Sequence, residues 1–243
     1  MENNSYIIRF VVILCVAAAL LIAGLHTFTK DIAEQNEDIF NKRAVLSAIE
    51  SKLGEGVKVD DFSDEEILDI FDKQVQQFVI KTDGSEVDGF LAEDIEMEKE
   101  EKKSPEEMNL PLFAYSSDQG KFYIVTVRGN GLWDKIWGYI ALEGDLNTIA
   151  GASFDHKGET PGLGAEIKDN PGFAKAFRGK QVYNGSGEFV SVNVRKPSTA
   201  IRGNEAHEVD AIGGATVTCD GVTDMLFKGI QFYEAYFKKI KES

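Results

Sequence analysis

The longest feature of the hydropathy pattern is a nearly unbroken apolar block from Ile7 to Phe28, interrupted mainly near its two ends. A helix of about 20 residues, rising about 1.5 Å per residue, covers the hydrocarbon core of a bilayer. A cleaved signal peptide would have a shorter apolar region and a small-x-small cleavage site, which is not evident after this block. The pattern favours an uncleaved single-pass anchor over residues 1–30, followed by one domain over residues 31–243.

The charges beside this block do not decide its orientation. Arg9 precedes the span, whereas Lys30, Lys42 and Arg43 follow it. A count of basic residues therefore leaves both orientations open.

Three further stretches have the spacing of amphipathic helices. The first runs from Asp31 to Leu53, and the second follows a capping box at Ser63–Glu66 and is expected to extend to Phe78. The third is predicted from Asp220 to about Lys239. Its apolar positions are Val222, Met225, Leu226, Ile230, Tyr233 and Phe237. The first two are expected to pack on a sheet as scaffold.

Four segments have the composition of strands. Lys121–Arg128 alternates and is rich in β-branched and aromatic residues, and a turn at Gly129–Gly131 follows it. The other strand candidates are Ile136–Leu142, Thr148–Phe154 and Glu188–Val194. The turn Glu143–Asp145 predicts a hairpin between the first two of these. The predicted fold is α+β, an antiparallel sheet flanked by helices, with one N-terminal transmembrane helix.

The segment Glu93–Glu107 is dominated by charged side chains. Such a run is typical of a solvated loop or an exposed helix, and Pro105 is expected to end any helix there. An acidic docking surface is the alternative.

Composition narrows the classes of function. The net charge of the 243-residue chain is -15, which argues against nucleic acid as a partner. The two cysteines are Cys15, in the apolar block, and Cys219, so a disulfide framework is not expected. Cys-x-x-Cys, Cys-x-x-Cys-His and His-Glu-x-x-His are absent, so an iron–sulfur, haem or zinc site built by this chain alone is not predicted.

The stretch with the most chemical information is Asp210-Ala-Ile-Gly-Gly-Ala-Thr216, which lies ahead of the last helix. Two glycines and an alanine leave the backbone beside Thr216 open to close approach. Just before a helix N-terminus, free N–H groups and the helix dipole favour an anion such as a phosphate. A tight turn with a hydroxyl cap is the simpler interpretation.

The order Asp-x-x-Gly-Gly-Ala-Thr resembles the flavinylation motif of FMN-binding domains. In that family, a flavin transferase joins FMN to the last threonine through a phosphoester. The family usually has Ser or Thr where this chain has Gly213, while Asp210, Gly214, Ala215 and Thr216 match.

Two more stretches extend the resemblance over nearly the whole chain. Gly129-Asn-Gly-Leu-Trp133, with the strand that follows, is similar to the Gly-Leu-Trp segment of the C subunit of the Na⁺-translocating NADH:quinone oxidoreductase. His156-Lys-Gly-Glu-Thr-Pro-Gly-Leu-Gly164 resembles the His-x-x-Glu-Thr-Pro-Gly-Leu-Gly loop of that family. Asp134 stands where the family commonly has glycine. The G subunit of the Rnf-type ferredoxin:NAD⁺ oxidoreductase shares the anchor, Glu-Thr-Pro-Gly and the flavin threonine, but the Gly-Leu-Trp segment favours the Na⁺-translocating enzyme.

The resemblance implies a covalent-FMN site. Thr160 is expected to offer a hydroxyl and backbone groups to the isoalloxazine, and Leu163 to pack on it. Glu159 is expected to hold the loop shut by accepting backbone N–H bonds, and Thr218 to cap the helix. His156 is expected to be solvated or hydrogen-bonded, with a proton donor to reduced flavin as the alternative. Trp133 either lies near the flavin or plugs the sheet edge. The expected cofactor-binding residues are Thr216 as the covalent attachment, Asp210, Gly213, Gly214, Ala215, Val217, Thr218, Glu159, Thr160, Gly162, Leu163, Gly164, Trp133 and Lys196. Arg195 joins Lys196 as a candidate cation for the phosphodiester. No catalytic residue and no metal ligand is expected.

The resemblance further implies an electron-transfer subunit that relays electrons from NADH-oxidising subunits towards ubiquinone in a Na⁺-pumping complex. Its expected partners are other subunits, a flavin transferase and the lipid bilayer. The bulk of the chain would be periplasmic, on a bacterial inner membrane. Gly129-x-Gly131 lacks the third glycine of a dinucleotide fingerprint, so no NADH site is expected on this chain. The alternatives are the Rnf subunit, a membrane-tethered assembly protein without redox function, and a stand-alone flavin reductase.

Overall fold

The computed structural model describes residues 2–54 and 56–242. The chain divides into two compact units, Met1–Asn41 and Lys42–Ser243, and each is considered by itself.

The N-terminal unit lies within helix α1, which runs from Glu2 to Ala48 without a break. Its large apolar side chains between Tyr6 and Phe28 are exposed. By length and composition this helix is able to cross a membrane. The sequence placed a domain boundary after residue 30; in the structure the helix continues through that position.

The centre of the second unit is a five-stranded antiparallel sheet whose strands follow one another in chain order. Its strands are β1 (Val75–Ile80), β2 (Leu110–Ser117), β3 (Gly120–Asn130), β4 (Lys135–Leu142) and β5 (Ile149–His156). The predicted strands at 121–128, 136–142 and 148–154 fall on β3, β4 and β5, and the predicted β4–β5 hairpin is present. The α+β fold class is therefore confirmed.

Helices cover both faces of this sheet. They are the end of α1 (residues 42–48), α2 (Glu50–Leu53), α3 (Asp64–Gln74), α4 (Met97–Glu100), α5 (Glu166–Asp169), α6 (Pro171–Lys175), α7 (Thr216–Gln231) and α8 (Glu234–Glu242). Alternation along β3 divides the core: Phe122 and Ile124 join the cluster with α3, whereas Val125 and Val127 join the cluster with α7. Beside α7 lie two short parallel strands, β6 (Asn193–Arg195) and β7 (Glu208–Asp210).

The second predicted helix is shorter than expected. The capping box is present, since Ser63 Oγ accepts from Glu66 N and the Glu66 side chain accepts from Ser63 N. The helix nevertheless ends at Gln74, and the predicted helical positions Val75 and Phe78 belong to β1. Apolar residues three apart share one face of a helix but lie on opposite faces of a strand. Both faces of this sheet are covered, Val75 joining the cluster with α3 and Phe78 packing on the cluster with α7, and pairing with β2, which the sequence did not predict, decides for the strand.

The acidic segment is mostly exposed and partly helical, in agreement with the expected exposed helix. It folds as three short helical pieces, Ala92–Asp94, α4 and Pro105–Glu107, so Pro105 begins a helical turn instead of ending one. Glu101 pairs with Arg128 at 3.3 Å and with Lys135 at 3.0 Å. These ion pairs hold the segment against β3 and β4.

Two more predictions need correction. The strand expected at 188–194 is reduced to β6, with one isolated bridge between Tyr183 and Phe189. The single helix predicted from Asp220 to about Lys239 is two helices, α7 and α8. They are separated by a tighter turn at Tyr233, whose N–H donates to the carbonyl of Ile230, three residues earlier. The buried Tyr233 hydroxyl donates to the Pro111 carbonyl at 2.9 Å and lies 3.2 Å from that of Thr126.

Helix α7 approaches β3 unusually closely. A Cβ atom added at Gly221 would collide with the Asn130 carbonyl oxygen, and one at Gly229 would lie 2.7 Å from a Val127 methyl carbon. Both positions therefore require glycine, and this close packing sets the place of the α7 N-terminus.

We predict that Gly221→Ala destabilises the protein by about 1–3 kcal/mol, because the new methyl group must push α7 away from β3. Glycine-to-alanine changes inside helices normally stabilise a protein by about 1 kcal/mol. A decrease in the free energy of unfolding would therefore indicate the steric contact between α7 and β3. Urea unfolding of the full chain in detergent, followed by tryptophan fluorescence, measures the effect. Gly185→Ala, at a position with open space, is the matched control. Equal stability of the two variants would contradict the proposed close packing.

Candidate functional site

Three segments meet at one end of the central sheet. The β3–β4 turn and the end of β5 are neighbours because Ile136 pairs with His156. The contact between Gly221 and Asn130 brings the first turns of α7 to the same end. The sheet register therefore collects the Gly-Leu-Trp turn, the Glu-Thr-Pro-Gly loop and the Gly-Gly-Ala-Thr bend, which are far apart in sequence.

The Gly-Gly-Ala-Thr bend leads directly into α7. Gly214 has a φ of 82°, in the region that favours glycine, and Ala215 N donates to the Ile212 carbonyl at 3.2 Å. Thr216 is the first residue of the helix and is exposed. The helix thus begins earlier than the predicted Asp220, and Thr216 lies inside its first turn. Because the first helical bond runs from Cys219 N to Ala215 O, the preceding N–H groups are available to an anion.

Thr216 lines a cavity of about 380 Å³ together with the two predicted cations. Ala211 N donates to the Arg195 carbonyl at 2.9 Å, and Arg195 pairs in register with Asp210, so β6 and β7 carry the cations to the bend. The remaining lining residues are Asn193, Val194, Thr199, Ala211, Cys219, Asp220 and Thr223.

The Arg195 side chain has spare hydrogen-bonding capacity. Its Nε lies 3.4 Å from Glu208 Oε1, but among the described residues this buried nitrogen makes no hydrogen bond of good geometry. Lys196 and Asp210 are both exposed. A cavity that joins a hydroxyl, a helix N-terminus and two cations suits a phosphate ester.

The Glu-Thr-Pro-Gly loop lies against the bend. Ala165 N and Leu163 N both donate to the Thr160 carbonyl at 3.1 Å, which closes the loop on itself, and Gly162 has a φ of 75°. A Cβ atom added at Gly214 would lie 2.8 Å from Leu163 Cδ2. The loop and the bend are therefore direct neighbours.

Apolar side chains stay exposed around these two loops. Trp133 is 69% exposed, Val217 52% and Leu163 42%. The Trp133 indole Nε1–H donates to Thr160 Oγ1 at 3.1 Å. The sequence left open whether Trp133 plugs the sheet edge, and the structure puts it on the exposed side against the loop. Such a surface suits a flat, aromatic group.

The Glu159 carboxylate joins the three segments beneath this surface. It is only 5% exposed; Oε1 accepts from Trp133 N at 3.0 Å and Oε2 from Thr218 Oγ1 at 2.6 Å. Glu159 does accept a backbone N–H bond, but from Trp133 in the β3–β4 turn; its own loop is closed by the Thr160 carbonyl instead. Thr218 is not a helix cap: it is buried within α7 and donates to Glu159. His156 is hydrogen-bonded, since its Nδ1 accepts from Glu159 N at 3.2 Å.

Sequence reasoning did not identify Cys219 as a residue that lines the cavity and contacts the bend. Its thiol is buried beside the cavity and accepts from Ile212 N at 3.4 Å, across the bend. Positions 216, 219, 220 and 223 share one face at helical spacing, so a helix assigned from Thr216 onward would have grouped them.

We predict that Cys219 alkylates slowly. Burial raises the pKa of the thiol, partly opposed by the N–H bond from Ile212, so the thiolate fraction near pH 8 is small. Iodoacetamide labelling of a Cys15→Ser variant, followed by peptide mass spectrometry, checks this. Labelling should become fast in denaturant; equal rates with and without denaturant would show that the thiol is accessible.

Comparisons with known proteins agree on one family. Residues 131–231 match the FMN-binding domain family. The C subunit of the Na⁺-translocating NADH-quinone reductase from Pseudomonas aeruginosa is 28% identical over 99% of this chain and 97% of its own length. The crystal structure of the corresponding subunit from Parabacteroides distasonis is 35% identical, with a TM-score of 0.74, covering 86% of this chain and 96% of that one. The crystal structure of Shewanella oneidensis NqrC is 28% identical, with a TM-score of 0.70, and the match covers 87% of this chain and 100% of that one. The chain therefore belongs to the NqrC family, the C subunits of the Na⁺-translocating NADH-quinone reductase, and contains the FMN-binding domain.

Proposed function

We propose that this chain carries FMN esterified through its phosphate to Thr216 and works as an electron-transfer subunit of a Na⁺-pumping NADH:ubiquinone oxidoreductase. The observation that carries the proposal is the exposed Thr216 hydroxyl at the start of α7, in one cavity with Arg195 and Lys196. When bound, the flavin supplies the capacity to accept electrons and pass them on.

The phosphate side of the site follows from charge and backbone geometry. Arg195 and Lys196 offset the negative charge of a phosphodiester, and the first N–H groups of α7 add the positive end of the helix dipole. Gly213, Gly214 and Ala215 keep the approach to Thr216 free of large side chains. Local cations matter here because the chain as a whole carries a charge of -15.

The ring side follows from the exposed apolar surface. Leu163, Val217 and Trp133 offer contact area to the isoalloxazine. Thr160 Oγ1 already accepts the Trp133 indole proton, so its own hydroxyl proton is left to donate to a polar ring atom. Gly162 keeps the loop backbone accessible between these side chains, whereas Gly164, also expected to bind the cofactor, is buried against Glu159 and Thr218.

A covalent link suits such an open site. A shallow surface buries little of a ligand and retains it weakly, whereas a phosphoester prevents loss and leaves the ring chemistry unchanged. An exposed ring also allows close approach of redox partners.

The proposed place of this chain in the electron path is inferred from its family. Electrons would enter from NADH-oxidising subunits and leave towards ubiquinone, with no NADH site on this chain. Its partners are the other subunits of the complex, a flavin transferase during maturation, and the lipid bilayer that α1 crosses once. The domain that follows α1 is periplasmic in this proposal.

We predict that Thr216→Ala loses the flavin completely. Intact-mass measurement on the full chain, co-expressed with a flavin transferase, should find one FMN less a water on the wild type and no added mass on the variant. Thr199→Ala removes another exposed hydroxyl of the same cavity and should keep the modification. An unmodified wild-type chain, or a modified Thr216→Ala variant, would end the proposal.

Asp210 is proposed to act during attachment, either as a group read by the flavin transferase or by helping to deprotonate Thr216. It is exposed at the end of β7, where an enzyme has access to it. We predict that Asp210→Ala lowers the flavin content of protein made in cells, measured by in-gel fluorescence against protein stain. Full fluorescence in that variant would remove Asp210 from maturation while leaving Thr216 as the attachment point.

A further inference from the structure

A phosphoester at Thr216 fixes only one end of the flavin. The chain between phosphate and ring in FMN is flexible, so the ring has to be oriented by other contacts, and holding it costs conformational entropy. The segments able to supply those contacts are the Thr160–Gly164 loop and the Trp133 turn. Whatever holds these segments at a set distance from α7 therefore controls where the ring lies.

One carboxylate makes this connection. Glu159 Oε1 accepts from the Trp133 backbone, and Oε2 accepts from Thr218, two residues after Thr216 on α7. Trp133 in turn donates its indole proton to Thr160. A chain of hydrogen bonds thus runs from the helix that carries the attachment point, through Glu159 and Trp133, to the loop that faces the ring.

The packing around the carboxylate leaves it little freedom. A Cβ atom added at Gly131 would collide with Oε1, and one at Gly164 would collide with Oε2 and lie 2.7 Å from Thr218 Oγ1. The Glu159 backbone is held as well, by its N–H bond to His156 Nδ1. Each carboxylate oxygen thus holds a different segment of the chain.

We propose that Glu159 is a positioning residue for the flavin: it sets the separation between the helix that carries the phosphate and the loop that faces the isoalloxazine. The inference rests on the proposed attachment at Thr216. Glu159 acts through Trp133 and Thr218 and need not touch the ring. It therefore determines ring order and orientation, while attachment depends on Thr216.

The test uses the full chain, co-expressed with a flavin transferase and purified in detergent. Glu159→Gln keeps the side-chain shape but removes the charge. The amide oxygen can still accept from Trp133 N, whereas the Thr218 hydroxyl has to turn and accept from the new NH₂ group, so the strong charge-assisted bond to α7 is replaced by a weaker neutral one. We expect FMN still attached by intact mass, with loss of the flavin's induced visible circular dichroism and lower flavin fluorescence anisotropy. Thr218→Val removes the hydroxyl donor at nearly constant shape and should change both signals in the same direction. Thr218→Ser should restore them.

Two further comparisons separate positioning from general destabilisation. Because both substitutions alter the same Glu159–Thr218 bond, the effects of Glu159→Gln and Thr218→Val should be non-additive when the two are combined. Glu100→Gln changes another buried carboxylate, which accepts from Lys103 and Asn109 N, and should lower stability without altering the flavin signals.

The outcomes distinguish this inference from the proposed function. Flavinylated Glu159→Gln and Thr218→Val with wild-type dichroism and anisotropy would overturn the positioning role and leave the Thr216 attachment intact. A wild-type chain without FMN would overturn both. If Glu159→Gln does not accumulate, Thr218→Val decides: altered ring signals support the inference, and unchanged ones reject it.

Discussion

Helix α7 lies so close to β3 that two of its positions have no room for a side chain. At Gly221 the helix meets the Asn130 carbonyl, and at Gly229 it meets Val127. Between these points Val222, Met225 and Leu226 are fully buried, each contributing about 1.5–3 kcal/mol by removal from water. This contact determines where the helix begins relative to the sheet, and thus where Thr216 and Thr218 stand. The bend, the cavity and the link to Glu159 all depend on it.

The sheet supplies the second constraint. Antiparallel pairing of β4 with β5 puts the turn before β4 and the loop after β5 at the same end, next to the start of α7. The site is therefore made of loops held by a rigid scaffold, as is common for binding sites. The acidic segment is held against β3 and β4 by ion pairs from Glu101 to Arg128 and Lys135.

The site divides into a polar and an apolar half. Arg195 and Lys196 line one cavity with Thr216 at the α7 N-terminus, opposed there by the carboxylate of Asp220, in a chain that is strongly acidic overall. Trp133, Leu163 and Val217 present apolar surface around the loop and the bend. FMN has an anionic end and a flat aromatic end, and it therefore matches this division.

Many elements of the fold and of the candidate site could be predicted from local sequence. The apolar block before residue 30, the alternating strand at 121–128 and the Gly-Gly-Ala-Thr bend each follow from a short pattern, because hydrophobic periodicity and glycine content act over a few residues. Val75–Ile80 could not be assigned in this way: its apolar spacing is that of a helix, and only pairing with β2 in a sheet covered on both faces makes it a strand. The bond from Thr218 to Glu159 joins residues far apart in the chain, so the fold alone could decide that Thr218 is a buried donor and not a cap. The residues available to the site were determined by the sequence, whereas their distances were decided by the sheet register and the packing of α7, since both depend on contacts that no local pattern contains.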